Sequence, residues 1–368
     1  MKKKIKAFGF LKILFKNFLF IFSPEKIAVK IFNGKFAFLA NLPNFDVVPK
    51  GIIFNIFKIL FKQFPPLIVS EITGFKDKKG REIKGIAIIC FLTAAEIMSD
   101  RKSAGKKVLE AVKIAEKAGA TIISLGAFTS IAVHDGADLI GKTKVGITTG
   151  NTFSAVVAIK NIERAANLRK IDLSNSVLAV VGAAGSVGSG CVKYFCGKVK
   201  DLIMVDINLS ELVRLKNLLD PGMPNLQISD LIGSIISADF VIVVTNSVKG
   251  IVKKEHLKRN AILVDGAYPP NVSAETILAR PDVWVISSAI VKVPGVNLNF
   301  DFGLDKEEVH GCLGEALILY YLDKKGNYAL GKVELSFMNE MIRAADSLGL
   351  DIAYFRNSLG SLKMLERF

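Results

Sequence analysis

Three textures of hydrophobic and polar residues follow one another along the 368-residue chain. The first 22 residues, MKKKIKAFGFLKILFKNFLFIF, join a lysine cluster to an apolar aromatic run in which Lys12 and Lys16 recur one helical turn apart. That is a basic amphipathic pattern. The run from Phe8 to Phe22 is too short and too interrupted by charge to span a bilayer. A second stretch, GIIFNIFKILFKQF at 51–64, sets Asn55, Lys58 and Lys62 on one polar stripe and leaves the rest apolar. Each predicts a helix that either covers a core or docks at a membrane surface or lipid groove.

From Pro65 the texture becomes strand-like. PPLIVSEITGF and REIKGIAIICFLT, joined by the charged turn KDKKG, read as a hairpin. A long helix over about 95–118 follows, and AGATIISLGAFTS then predicts a buried strand ending in a small polar loop. VGITTGNTFSAVVAIKNIERAANL runs from a strand through Thr148-Thr149-Gly150-Asn151 into a helix that Asn151 or Thr152 is suited to cap. After Ser174, strands alternate regularly with helices: SVLAVVGAAG, DLIMVD, FVIVVTN, AILVDGAY and VWVISS. Apolar runs of that length between helices imply a parallel sheet covered on both faces. Residues from about 305 to the end are expected to be helical and to pack back on the first half.

Composition narrows this picture. With 51% hydrophobic and 23% charged residues the chain can build two or three ordinary cores. The four scattered cysteines and the lack of a signal-peptide pattern point to a reducing cytoplasm, with a membrane-peripheral alternative from the N-terminus. Cys191 and Cys196 have four residues between them and the chain has three histidines, so no metal site is expected. The net charge of +15 does not imply nucleic acid, because the lysines are spread along the chain without an interleaved binding motif. An anionic lipid, an acidic protein or a phosphate-bearing cofactor fits such a surface.

Candidate chemistry begins with VVGAAGSVGSG. Gly182, Gly185 and Gly188 lie where a hydrophobic strand turns into a helix, the setting in which backbone amides and the helix dipole cradle a pyrophosphate. The next strand ends in Asp206, eighteen residues after Gly188, close to the spacing at which an acid reaches the adenine ribose hydroxyls. Ala184, Ser186 and Val187 in the loop, Ile207 beside the acid, and Thr245, Asn246 and Gly266 at later strand ends complete the expected cofactor contacts. The expected fold is α/β: a doubly wound parallel-sheet (Rossmann) dinucleotide-binding domain at 166–300 and an N-terminal α/β substrate domain at 65–165. A C-terminal helical segment at 301–368 completes the latter, and a basic amphipathic segment at 1–64 precedes it.

EVHGCLGEA at 308–316 places one cysteine between two glycines. In DKEEVHGCLGEALILYYLDK, Val309, Cys312, Leu313, Ala316 and Tyr320 share one helical face, so Cys312 is either a small core residue or a nucleophile. Asp305 and Glu308 have capping-box spacing, which predicts a helix starting before the cysteine, with the thiol about a turn and a half inside. On such a helix His310 points about 200° away from Cys312 and reads as an exposed histidine.

LGAFTS at 125–130, TTGNT at 148–152, the glycine loop, VDGAYPPN at 264–271 and GCLGEALILYY with its trailing GNYALGK occur in an order that resembles the cyanobacterial-type long-chain acyl-[acyl-carrier-protein] reductases. The resemblance covers about 70–368. It implies reduction of a fatty acyl thioester, carried on acyl carrier protein or coenzyme A, to a fatty aldehyde through a covalent acyl-enzyme on the cysteine that maps to Cys312. Thr149 and Asn151, with Thr148, are then hydrogen-bond donors to an oxyanion or the nicotinamide amide, and Glu315 orients the site. Family members favour NADPH through an arginine after the second dinucleotide strand. Ile207 stands at that position here and Asp206 before it, which favours NADH. Two alternatives share the architecture: a shikimate or amino-acid type dehydrogenase without a covalent step, and a non-enzymatic membrane-peripheral dinucleotide sensor.

Overall fold

The computed structural model describes residues 7–42, 63–219 and 225–362. The chain forms two compact units, residues up to Gly150 with Val293–Leu330, and Asn151–Lys292 with residues from Gly331 onward. The helix after TTGNT and the tail from Gly331 therefore group with the glycine loop.

The first unit is built on a five-stranded sheet in the order β2-β3-β1-β4-β5. Its strands are β1 (Phe36–Leu42), β2 (Leu67–Lys76), β3 (Glu82–Thr93), β4 (Ile122–Leu125) and β5 (Gly146–Thr148). The β2–β3 hairpin is antiparallel, as its sequence implies, and every other pair is parallel. β1, from within residues 1–64, is the middle strand, and FAFLANL was not expected to be one. A parallel strand covered on both faces reads as a plain apolar run, with no alternation to mark it. The predicted helix over 95–118 is two helices, Ala94–Ser99 and Arg101–Lys117. Asp100 breaks it, and its carboxylate caps the second helix by accepting from the Ser103 amide at 3.0 Å.

At the N-terminus, the helix Ala7–Phe22 lies against edge strand β2 with an unusual division of its faces. Buried Asn17 pairs with the β2 backbone: its Nδ2 donates to Ile68 O at 2.8 Å and its Oδ1 accepts from Ile68 N at 3.0 Å. Phe20 is fully buried, and Lys16 sits 3.4 Å from Glu71 Oε1 and 4.1 Å from the Phe32 ring centroid. The helix does cover core, yet Phe15, Phe18 and Phe22 stay exposed. The second predicted amphipathic stretch, at 51–64, lies almost wholly outside the described residues.

The second unit confirms the doubly wound reading. Six parallel strands run β11-β10-β9-β6-β7-β8, with β6 (Val177–Val181), β7 (Asp201–Val205), β8 (Leu226–Ser229), β9 (Phe240–Val243), β10 (Ile262–Asp265) and β11 (Trp284–Ser287). Counted from β6 this is the order 3-2-1-4-5-6, so the chain reverses direction across the sheet between β6 and β9. The glycine loop follows β6, at the switch point where open α/β sheets bind ligands. Beyond Gly331 the chain is less helical than expected: after the helix Leu335–Ser347, Asp351–Ile352 pairs with Ile290–Lys292 and Arg356–Asn357 with Gly360–Ser361.

Because the Asn17 amide stands in for a neighbouring strand, Asn17→Ala leaves the Ile68 N–H and C=O without those partners. The expected loss is roughly 1–3 kcal/mol of unfolding free energy, read as a lower denaturant midpoint with unchanged slope.

Candidate functional site

Cys312 does not lie where the capping-box spacing put it. The Asp305 amide does donate to Glu308 Oε2 at 2.9 Å, but Glu307 takes a left-handed φ of 63° and Glu308–His310 is extended. The helix Gly311–Tyr321 starts only after that, with His310 at its N-cap. Cys312 is therefore in the first helical turn, where the helix dipole and unsatisfied amides favour negative charge on sulfur. His310 is correspondingly not an exposed helix residue. It is half-buried, 6.2 Å from the Phe38 ring between centroids, and burial pushes its pKa down to about 4, so the ring is neutral at pH 7.

The helix packs on β1 and β4, and its first turn is held from several sides. Ser124, buried on β4, donates to the Cys312 carbonyl at 2.7 Å. A Cβ added to Gly150, whose φ is 73°, would meet Cys312 Cβ at 2.3 Å and its Cα at 2.4 Å. Glycine is required there by both backbone and space. Thr148 donates its hydroxyl to Glu315, one turn after the cysteine, and both side chains are fully buried. Thr149 donates to the Ala329 carbonyl at 2.6 Å, while Asn327 Oδ1 accepts from Ile147 N at 3.0 Å. The TTGNT turn thus lies between the cysteine helix and the GNYA loop.

The thiol itself is balanced between opposing effects. Burial pushes its pKa up to about 12, although the residue keeps partial solvent exposure. The backbone amides of Leu313, Cys312 and Ala127 act against burial, and the charge of Glu315 acts with it. Ala127 belongs to LGAFTS and holds φ 49°, ψ −124°, a conformation alanine rarely adopts. Sequence reading missed Ser124, Ala127 and Gly150. The only signal was that LGAFTS and TTGNT are small, polar strand ends.

In the second unit, the glycine loop fits a nicotinamide dinucleotide. A Cβ on Gly182 would meet Val244 O at 2.4 Å, and one on Gly188 would meet Gly182 O at 2.1 Å, so the strand, turn and helix close tightly. Gly185 is the exposed N-cap of the helix Ser186–Phe195 and leaves its first amides uncapped by a side chain. Asp206 Oδ2 accepts from Ala184 N at 3.1 Å and its Oδ1 from Asn208 N at 3.0 Å, which fixes the carboxylate beside the loop. Ile207 is 93% exposed. Lys332 is a cation that sequence reading missed: its ammonium donates to the Ala184 carbonyl and lies 3.0 Å from Glu211. Glu211 is held down to about 2 by Arg214 and then Lys332. Lys216 is turned to Leu226 O. Thr245 donates to Asn271 Oδ1 at 2.5 Å, Asn246 is exposed, and Gly266 has Ser288 Oγ 2.9 Å from a built Cβ. Asp265 accepts from the amides of Ala267, Asn271 and Val272 and shapes the VDGAYPPN loop; burial raises its pKa to about 6.

The candidate residues thus fall into two sets. Cys312, Thr149 and Glu315 meet in the first unit, while the cofactor residues meet in the second, where Asn151 opens the helix Asn151–Arg169. Asn151 is inside that helix rather than its cap. Thr152 Oγ1 is buried without a hydrogen-bond partner among the described residues. No group of three His, Cys, Asp or Glu suited to a metal occurs among the described residues. Alkylation of Cys312 by iodoacetamide should accelerate about ten-fold per pH unit from pH 7 to 10 with no plateau, following the thiolate fraction. Glu315→Gln should be faster at each pH, since it removes a nearby negative charge. A plateau below pH 8, read by mass of the intact protein, would show the thiol less buried in solution.

No family model matches the chain. The long-chain acyl-[acyl-carrier-protein] reductase of Synechococcus elongatus is 30% identical over 289 residues, 74% of this chain and 82% of that protein. Aminotransferase PigE of a Serratia species is 22% identical over 261 residues, 69% of this chain, which spans 30% of that protein. Among solved structures, the malic enzyme of Entamoeba histolytica matches 78% of this chain and 63% of its own at 15% identity, with a TM-score of 0.39. The D-lactate dehydrogenase of Escherichia coli matches 46% and 60% at 12% identity, with a TM-score of 0.29. Identity and mutual coverage with the cyanobacterial enzyme decide the assignment, and the chain belongs to the long-chain acyl-[acyl-carrier-protein] reductase family.

Proposed function

We propose that the protein reduces a long-chain fatty acyl thioester, presented on acyl carrier protein or coenzyme A, to a fatty aldehyde through an acyl-enzyme on Cys312. One observation carries this reading: the thiol sits in the first turn of its helix, among the amides of Leu313 and Ala127. A first-turn cysteine is placed to carry negative charge, whereas a core cysteine gains nothing from those amides.

In the acylation step the Cys312 sulfur bonds to the thioester carbonyl carbon and the bond to the carrier sulfur breaks. The proton lost by Cys312 is the one the departing carrier thiolate takes up, so the exchange is balanced and close to thermoneutral. The high pKa of the buried thiol means that little thiolate exists before substrate arrives, which protects the sulfur from other electrophiles. When bound, the reduced nicotinamide supplies a hydride to the carbonyl carbon of the acyl-enzyme. Cys312 sulfur then leaves as aldehyde forms, is stabilised by the helix amides, and regains a proton from solvent. Glu315 and Thr148 act as positioning residues that fix the helix to the turn, and Thr149 anchors that turn to the GNYA loop. Asn151 supplies a polar group at the start of the next helix. Gly182, Ala184, Gly185, Ser186, Val187 and Gly188 would hold the pyrophosphate; Asp206 and Ile207 would border the adenine ribose, and Thr245, Asn246 and Gly266 the far side of the switch point.

Incubation with a long-chain acyl thioester, without dinucleotide, should add one acyl mass to the intact protein and none to Cys312→Ala. Cys312→Ser should fold and bind dinucleotide yet lose aldehyde formation, because a hydroxyl without a committed base is a far weaker nucleophile. If the unmodified protein binds dinucleotide but never gains the acyl mass, the covalent route is wrong and a direct dehydrogenase remains.

The cofactor preference follows from Asp206. Its carboxylate repels a 2′-phosphate and accepts hydrogen bonds from both ribose hydroxyls of NADH, each charged bond worth about 1.5–3 kcal/mol. Since about 1.4 kcal/mol is a factor of ten, kcat/KM should favour NADH by roughly ten-fold. Lys332, beside Ala184, works the other way by offering a cation to phosphate. Lys332→Met should therefore weaken NADPH more than NADH in fluorescence titrations. A clear NADPH preference in the unmodified protein would show that Asp206 does not face the ribose.

A further inference from the structure

The N-terminal helix Ala7–Phe22 buries polar groups together with Phe20 and leaves much of its aromatic set outside. Its polar residues Lys16 and Asn17 serve the protein, bonded to Glu71 and Ile68, while Phe15, Phe18 and Phe22 are 64%, 58% and 74% exposed. Leu19, Ile21 and, on the next helix Glu25–Ile31, Ile27 are exposed as well. Phe18 and Phe22 pack on each other, with centroids 4.8 Å apart. Scattered exposed apolar residues need no explanation, but a contiguous aromatic patch marks an interaction surface.

Charge identifies what that surface meets. Lysines are spread along the whole chain but acids are not: residues 1–64 hold twelve lysines against two acids, Glu25 and Asp46, and so carry +10 of the chain's +15. Lys12, Lys26 and Lys30, on the same two helices as the aromatic patch, are exposed. Two copies of so basic a segment repel, which argues against self-association through it. Exposed phenylalanines with lysines around them are the pattern of a helix lying in the plane of a bilayer interface, apolar side down and cations at the headgroups. Among the described residues no helix is long and apolar enough to cross a membrane, which fits lying on a surface.

We infer that the protein docks on anionic lipid bilayers through the exposed Phe15–Phe18–Phe22 face of its N-terminal helix, bordered by Lys12, Lys26 and Lys30. The inference rests on this helix and its charge, and holds whether or not Cys312 is acylated. If the reductase reading is right, docking delivers an insoluble aldehyde directly to the lipid phase.

The test is co-sedimentation of the full chain with vesicles of phosphatidylglycerol and phosphatidylcholine, against phosphatidylcholine alone. Binding should need the anionic lipid and fall as salt rises from 50 to about 500 mM, because the headgroup attraction is screened. The triple variant Phe15→Ser/Phe18→Ser/Phe22→Ser should lose at least ten-fold in partitioning while keeping its melting temperature and dinucleotide affinity. Lys12→Glu/Lys26→Glu/Lys30→Glu should lose the anionic preference. Failure of the full chain to bind anionic vesicles overturns the inference, as does binding that survives both variants. A dimer by light scattering that the phenylalanine variant dissociates would assign the face to a second copy. Weaker use of carrier-protein thioesters by that variant, without vesicle binding, would assign it to an acidic protein. Both results would also overturn the inference, and neither depends on the acyl-mass experiment.

Discussion

The contact between Gly150 and Cys312 is the constraint on which the arrangement around the cysteine depends. Its Cα hydrogen occupies the space that a methyl would need against the cysteine, so the turn after β5 and the first turn of the helix Gly311–Tyr321 are fixed together. Ser124 ties the Cys312 carbonyl to β4, and Thr148 ties β5 to Glu315. Three chain segments far apart in sequence therefore share one small volume. The polar groups there are fully buried, so each must find a partner or cost stability. That accounts for the density of small and hydroxylated residues in LGAFTS and TTGNT: bulk is excluded by the approach of the helix, and hydroxyls satisfy what the approach buries.

The same constraint governs the thiol. Close packing desolvates Cys312 and raises its pKa, while placement in the first helical turn puts backbone amides around the sulfur. Burial is the larger effect at rest. Under the proposed acyl-enzyme route this is tolerable, because the proton of the thiol has a destination in the departing sulfur. A serine in the same place would have the same burial with a far less acidic and less nucleophilic group.

How much of this was legible in the sequence depends on whether the cause is local. β6, β7, β9, β10 and β11 were legible because a parallel strand buried on both faces must be a short apolar run, and regular spacing between helices distinguishes it. The glycine loop was legible because Gly182 and Gly188 answer to backbone contacts that admit no side chain. β1 was not, since FAFLANL sits between two aromatic-rich stretches of similar texture. The start of the cysteine helix was not, because the left-handed turn at Glu307 leaves no mark in residue type. Lys332 approaches Ala184 from 148 residues away, and nothing in either segment announces the other.

Which face of the N-terminal helix is buried was the least legible feature, and the reason is energetic. Amphipathic patterns assume that apolar residues go inward, yet an edge strand offers its neighbour unpaired N–H and C=O groups. A helix laid across such an edge is useful to the fold if it brings an amide, and Asn17 does so at Ile68. Once Asn17 is committed inward, the helical repeat lets only part of the phenylalanine set follow it. Phe20, three residues on, shares that side and is buried, whereas Phe15, Phe18 and Phe22 lie around the helix from it and are left to solvent. The exposed aromatic face is therefore a consequence of closing the β2 edge with a side chain, and a helix built only to cover core would have carried polar residues at those three positions.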